Sequence, residues 1–256
     1  MAEVEYEVRG RIATITLNRP ERMNAMTNAM YEAISDGFRR AEADREVRCV
    51  VVTGTGGRAF SAGHDLYEMG GGRGAAAGWQ PYRARRFDNG MECAKPTLAA
   101  IDGYCLAGGM ELALFCDVRV ASDRSQFGSP EVKWNILHGY GALRLPDIIG
   151  MSNTMYLLLS GEFIDAQTAL RVGLVSHVVA PDELMPTAYA LAERIAGNGP
   201  SAARLIKELA YRGRDLPLQE GLRLYKEYSR IASASADARE GTTAFAEKRV
   251  PAFQDA

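Results

Sequence analysis

Residues 95–131 read KPTLAAIDGYCLAGGMELALFCDVRVASDRSQFGSPE. Thr97 to Ile101 and Asp117 to Ala121 are short apolar runs of strand length, with a helix expected from Gly109 to Cys116 between them. Strand, crossover helix and strand at this spacing mark repeated βαβ units, and hence an α/β fold. The pair Gly108-Gly109 stands just before the helix, and Glu111 falls in its first turn. A second acid, Glu131, follows Gly128-Ser129-Pro130. The stretch is otherwise mostly apolar, and a buried carboxylate is costly unless it is hydrogen-bonded, paired or used. Two carboxylates beside the N–H groups of a helix start point to proton chemistry next to an anion-stabilising site. Taken singly, Glu111 reads equally as an acid favoured by the helix dipole, and Glu131 as a turn acid.

The same logic extends in both directions. Upstream, Glu5 to Glu7 and Ile12 to Leu17 alternate as strands about a turn at Gly10. Thr27 is placed to cap a helix running through Phe38. Val47 to Thr53 is a near-continuous apolar strand, as in a sheet covered on both faces. Gly54 to Gly63 is turn-rich, residues 70–78 (GGGRGAAAG) read as a loop, and Trp79 to Met91 as a helix. Downstream, helices are expected over Ser152–Ser160, Asp165–Arg171, Asp182–Ala196, Pro200–Tyr211, Pro217–Ile231 and Ala236–Lys248, with a strand at Leu174–Val179. The helical last third either finishes the core or builds an oligomer interface.

Composition narrows the function classes. The chain has 256 residues and a net charge of −2, which gives no electrostatic case for a nucleic acid partner. Its most apolar run, Thr97 to Phe115, is interrupted by Asp102 and Glu111, against a membrane span. The N-terminus, MAEVEYEVRG, lacks a signal-peptide pattern, and the expected compartment is the cytoplasm. The four cysteines show no C-x-x-C spacing and read as reduced, buried thiols. His64, His138 and His177 show no metal-ligand spacing.

Gly54-Thr-Gly56-Gly-Arg-Ala59 follows a strand and fits G-x-G-x-x-A, but its continuation, Phe60-Ser-Ala-Gly63, is a poor helix start, which argues against a dinucleotide site. Gly128-Ser129-Pro130 is not a nucleophile elbow. Two glycine turns remain, Ser61-Ala62-Gly63-His64-Asp65 and Ala107-Gly108-Gly109-Met110-Glu111. Each alone reads as tight packing, because glycine permits close backbone approach. Together they place two backbone N–H groups where they can converge on one oxygen.

The motifs carry a resemblance over almost the whole chain. AFSAGHDLYEM (59–69) and KPTLAAIDGYCLAGGMELALFCDVRVAS (95–122) resemble the two oxyanion-loop motifs of the crotonase superfamily, the enoyl-CoA hydratase/isomerase group. FGSPEVK (127–133) is similar to the acid-bearing turn that follows them. ITLNRPERMNAM (15–26), FIDAQTALRVGLVSHVV (163–179) and REGTTAFAEKRVPAF (239–253) match further family stretches.

The resemblance implies a crotonase spiral of ββα repeats over 1–195 and a C-terminal helical trimerisation region over 196–256. It implies hydration of a 2-enoyl-CoA, with the thioester oxygen between the N–H groups of His64 and Gly108 and with Glu111 and Glu131 handling protons. Coenzyme A would enter as part of the substrate, with no prosthetic group and no metal. Arg22, Met23, Ala62, Asp65 and Leu66 would lie near it, and Phe245 and Lys248 would reach its nucleotide end in a neighbouring subunit of a homotrimer or homohexamer. Isomerisation, decarboxylation or thioester hydrolysis from the same enolate, and non-catalytic acyl-CoA or RNA binding, are the alternatives.

The chain departs from many such hydratases at Trp134-Asn-Ile-Leu-His138-Gly-Tyr140, where they carry a Gly/Pro-rich turn. His138 is expected to be structural or pocket-lining. His64 is expected to line the acyl pocket or pack on Tyr67, Asp65 and Asp117 to act as turn and strand-end caps, and His177 to pack.

Overall fold

The computed structural model describes residues 2–65, 67 and 93–255. The loop expected at 70–78 and the helix expected at Trp79–Met91 lie outside them. Two sheets organise the described chain. The larger contains β1 (Val4–Arg9), β2 (Ile12–Leu17), β3 (Cys49–Gly54), β5 (Thr97–Ile101), β7 (Val118–Ser122) and β10 (His177–Val179), in that spatial order. β1 and β2 form an antiparallel hairpin, and every later pairing is parallel. The smaller sheet contains β4 (Ala59–Ser61), β6 (Tyr104–Leu106), β8 (Gln126–Gly128) and β9 (Phe163–Asp165). Its first three strands are parallel. The chain therefore lays one strand in the large sheet and the next in the small one, three times over: β3 then β4, β5 then β6, β7 then β8.

Among the described residues the α-helices are α1 (Asn28–Ala43), α2 (Gly108–Phe115), α3 (Gly139–Ile149), α4 (Met151–Ser160), α5 (Ala166–Arg171), α6 (Leu184–Ala196), α7 (Pro200–Arg214), α8 (Leu218–Ala234) and α9 (Ala236–Glu247). Thr27 and Asp165 cap α1 and α5 through their side-chain oxygens, as their positions imply.

The period of two along each strand sorts the core into two clusters. Ile12, Cys49, Val51, Leu98, Ala100 and Val120 face α6, which answers with Leu184, Ala188, Ala192 and Ala196 at helical spacing. Ala13, Ile15, Val50, Val52, Ala99 and Ile101 face the other way and pack with Met30, Ile34 and Phe38 of α1. A sheet covered on both faces explains why β3 reads as unbroken apolar sequence.

Several elements differ from the sequence expectation. β4, β6, β8 and β9 have three residues each, too few for alternation to register. α3 carries Pro146 and two glycines, which hide its helical period. α1 continues to Ala43 rather than stopping at Phe38. The strand at Leu174–Val179 shortens to β10, because Leu174 and Val175 turn into the core. His177 does not pack: it stands exposed, with Nδ1 3.1 Å from the Ser176 hydroxyl.

The last third is amphipathic without being enclosed. α8 buries no residue, and Ile206, Leu218, Leu222, Tyr225 and Ile231 stand exposed. All four cysteines are buried and free, and burial pushes each thiol pKa up, away from nucleophile chemistry. Among the described residues, no helix is long and apolar enough to cross a membrane.

Leu98 is fully buried between β5 and α6. Leu98→Ala is expected to cost about 2–5 kcal/mol, read as a lowered urea midpoint.

Candidate active site

Parallel pairing of the three short strands brings the two glycine turns and the second acid to one edge. β4 ends at Ser61 opposite Cys105 of β6, and β6 ends at Leu106 opposite Gly128 of β8. The residues that follow each strand, His64, Gly108 and Glu131, therefore leave the same side of the small sheet.

The first turn is held by a short parallel bridge between Met26 and His64. Met26 N–H donates to Gly63 O at 2.7 Å, and Asp65 N–H donates to Met26 O at 3.0 Å. In such a bridge the middle residue's own N–H points the other way. For His64 that is toward the second turn: a Cβ on Gly108 would lie 3.4 Å from the His64 nitrogen.

Backbone-to-backbone contact explains the glycines. A Cβ on Gly63, whose φ is +97°, would lie 2.6 Å from the Ala107 Cβ and 2.9 Å from the Gly108 nitrogen. One on Gly109 would meet Ser61 O at 2.4 Å. Ala107, pinned by its N–H to Gly128 O at 3.1 Å, takes φ 52°, ψ −127°, a costly conformation for a residue with a Cβ. Gly108 opens α2, so its N–H belongs to the first turn, whose donors have no acceptor within the helix.

α2 is buried from Gly108 to Leu114, which puts Glu111 inside the protein at 9 % exposure. Its Oε1 accepts the Tyr140 N–H at 3.2 Å. Glu131 sits in a 3-10 turn, Pro130–Trp134, with its side chain 12 % exposed. Its Oε1 lies 2.9 Å from Nδ1 of the buried His138, while its Oε2 is buried with no hydrogen bond to protein. Neither His138 nitrogen makes an aligned hydrogen bond, so this contact is a close approach of ring and carboxylate rather than a formed hydrogen bond.

His138 is the site feature that sequence reasoning set aside as structural or pocket-lining. Its position is encoded at Gly141, where a Cβ would lie 2.3 Å from the ring Nε2 and Cδ2. A pairing between side chains seven positions apart across an irregular segment has no sequence period to reveal it.

The remaining named residues divide. Met23 O accepts the Ala62 N–H at 3.0 Å, and the exposed Arg22 lies over the Tyr67 ring at 5.3 Å, so these residues line one edge beside the first turn. The His64 ring stacks on Tyr31, with centroids 5.4 Å apart, and not on Tyr67, which is 81 % exposed. Leu66 lies outside the described residues. Phe245 and Lys248 are exposed at the end of α9 and do not join this cluster within the chain. Among the described residues, no group of three His, Cys, Asp or Glu is placed to hold a metal.

Asp65 braces the first turn. It accepts from Arg19 at 2.6 Å and from the Tyr67 N–H at 2.9 Å, and Arg19 also holds Ala25 O. The Arg19 hydrogen bond holds the Asp65 carboxyl below its ordinary pKa and raises that of Arg19. Asp117 acts as a strand-end cap, accepting the Thr97 N–H at 2.8 Å. A depressed carboxyl pKa stabilises the fold above the unfolded value and loses that effect as pH falls through the folded value. Asp65→Asn is therefore expected to lower stability at neutral pH, with the gap to wild type closing below about pH 4. Urea melts at several pH values measure this, and a gap independent of pH would refute it.

Residues 7–256 match the family model described as enoyl-CoA hydratase/isomerase. A probable enoyl-CoA hydratase of Rhizobium meliloti is 37 % identical over 249 residues, 97 % of this chain and 96 % of that protein. The (E)-benzylidenesuccinyl-CoA hydratase of Thauera aromatica is 37 % identical over 254 residues, 99 % of each. The crystal structure of an enoyl-CoA hydratase from Mycobacterium marinum superposes with a TM-score of 0.91 at 38 % identity, covering 99 % of both chains. By the family model over residues 7–256 and by these relatives, the chain belongs to the enoyl-CoA hydratase/isomerase family, the crotonase superfamily.

Proposed function

We propose that this enzyme is an enoyl-CoA hydratase acting through Glu111 and Glu131 beside an oxyanion site formed by the N–H groups of His64 and Gly108. The observation that carries the reading is that two largely buried acids follow β6 and β8, on the edge of the small sheet where the two glycine turns touch. An isomerisation needs one base, whereas addition of water across a double bond uses a base for the water and an acid for the α-carbon.

The thioester oxygen would accept from both N–H groups. It gains charge only as the π electrons move onto it, so the donors favour the transition state over the substrate. The α2 N-terminus adds its dipole at the same point. A water between the carboxylates gives a proton to one as its oxygen bonds to Cβ, and the other carboxyl group returns a proton to Cα as the enolate collapses. The buried, unpartnered Oε2 of Glu131 is an acceptor suited to that water.

Coenzyme A is read as part of the substrate, with no prosthetic group. Arg22 and Met23 would lie near its pantetheine and phosphates and Ala62 near its adenine and pantetheine, a reading supported by their position beside the His64 turn. The exposed apolar faces of α7 and α8 support assembly as a homotrimer or homohexamer over 196–256. Phe245 and Lys248, exposed on α9, would then reach the nucleotide end of a neighbour's ligand.

Crotonyl-CoA and longer homologues, followed by loss of the enoyl thioester absorbance, test the activity. Glu111→Gln and Glu131→Gln are each expected to lower kcat by about 10²–10⁴-fold. Absence of hydration by the wild-type protein would sink the activity, and unchanged rates in both variants would sink the two-acid mechanism.

A further inference from the structure

We infer that His138 is a positioning residue that sets the carboxylate of Glu131 for its share of the reaction; the inference rests on the hydratase reading. His138 is 5 % exposed, and its Nδ1 lies 2.9 Å from Glu131 Oε1. Burying an imidazole costs free energy unless its polar atoms are used, and the group that this close contact brings to the ring nitrogen is the carboxylate of a candidate catalytic acid.

The segment is built to hold the ring there. Gly141 leaves the face of α3 open under the imidazole, and any larger residue would drive the ring off its seat. The His138 carbonyl accepts the Ala142 N–H at 3.2 Å, which anchors the residue at the α3 N-terminus. Two residues on, the Tyr140 N–H donates to Glu111. One short stretch, His138-Gly139-Tyr140, thus touches both acids, by a side chain on one and by the backbone on the other. A rigid three-residue link of this kind fixes the spacing between the carboxylates, and that spacing decides whether one water fits both.

The ring–carboxylate contact is close but unaligned. Hydrogen bonds between catalytic groups tighten when substrate fills the site, and a small rotation of the imidazole would bring its N–H onto Oε1. Glu131 would then present Oε2 to the reacting water in one orientation.

Two substitutions separate positioning from packing. His138→Phe keeps a ring over Gly141 and removes both nitrogens, whereas His138→Asn keeps a donor close to the Nδ1 position. His138→Phe is expected to lower kcat about 10–100-fold with KM nearly unchanged, and His138→Asn to recover most of the loss. Equal losses in the two variants, or full kcat in His138→Phe, would overturn the proposal.

A measurement that needs no turnover stands beside the kinetics. In protein with 15N-labelled histidine, the His138 ring signal is expected to move in Glu131→Gln, with the exposed His177 as internal control. A His138 signal that stays in place would overturn the contact. A wild-type protein that hydrates neither crotonyl-CoA nor its longer homologues but shows this movement would sink the hydratase reading and leave only the His138–Glu131 contact standing.

Discussion

The structure depends on the parallel pairing of β4, β6 and β8. Each strand has only three residues, yet their register fixes where three separate segments of chain emerge. Because the strands are parallel, everything that follows them leaves the same edge. The His64 turn, the Gly108 helix start and the Glu131 turn are neighbours for that reason alone. A slip of one residue in β6 would turn Leu106 to the other face and pull the helix start out of line with the first turn.

Rigidity at that edge comes from contacts that tolerate no side chain. Gly63, Gly108 and Gly109 let two backbones meet, and Ala107 holds a conformation that only such a crowded turn would impose. Outside the turns, the large sheet and α6 supply the bulk of the core, so the strained edge is carried by a well-packed body. The Arg19–Asp65 pair secures the first turn from behind, with both side chains largely removed from solvent.

Electrostatic roles are divided by placement. In the proposed reaction the acids would stand beside the reacting atoms, and the fixed donors would be backbone N–H groups, whose direction is set by secondary structure. His138 is the exception, a titratable side chain brought against one acid. It stands at the N-terminus of α3, two residues before the residue whose N–H holds the other acid.

The sequence by itself determined the family, the α/β class and the residues of the two glycine turns and the acid pair. Those features are local: a glycine pair before a helix, an acid in a first turn and alternating apolar strands can be read within a dozen residues. The β1–β2 hairpin and the Thr27 and Asp165 caps were legible for the same reason. Tertiary structure alone decided the short strands, α3 behind its proline, the stacking of His64 on Tyr31 rather than Tyr67, and the exposure of His177. It also decided that His138 lies against Glu131 while Tyr140 holds Glu111. Those outcomes depend on which surfaces meet after the chain has coiled through several repeats, and no period along the chain encodes a contact between irregular segments.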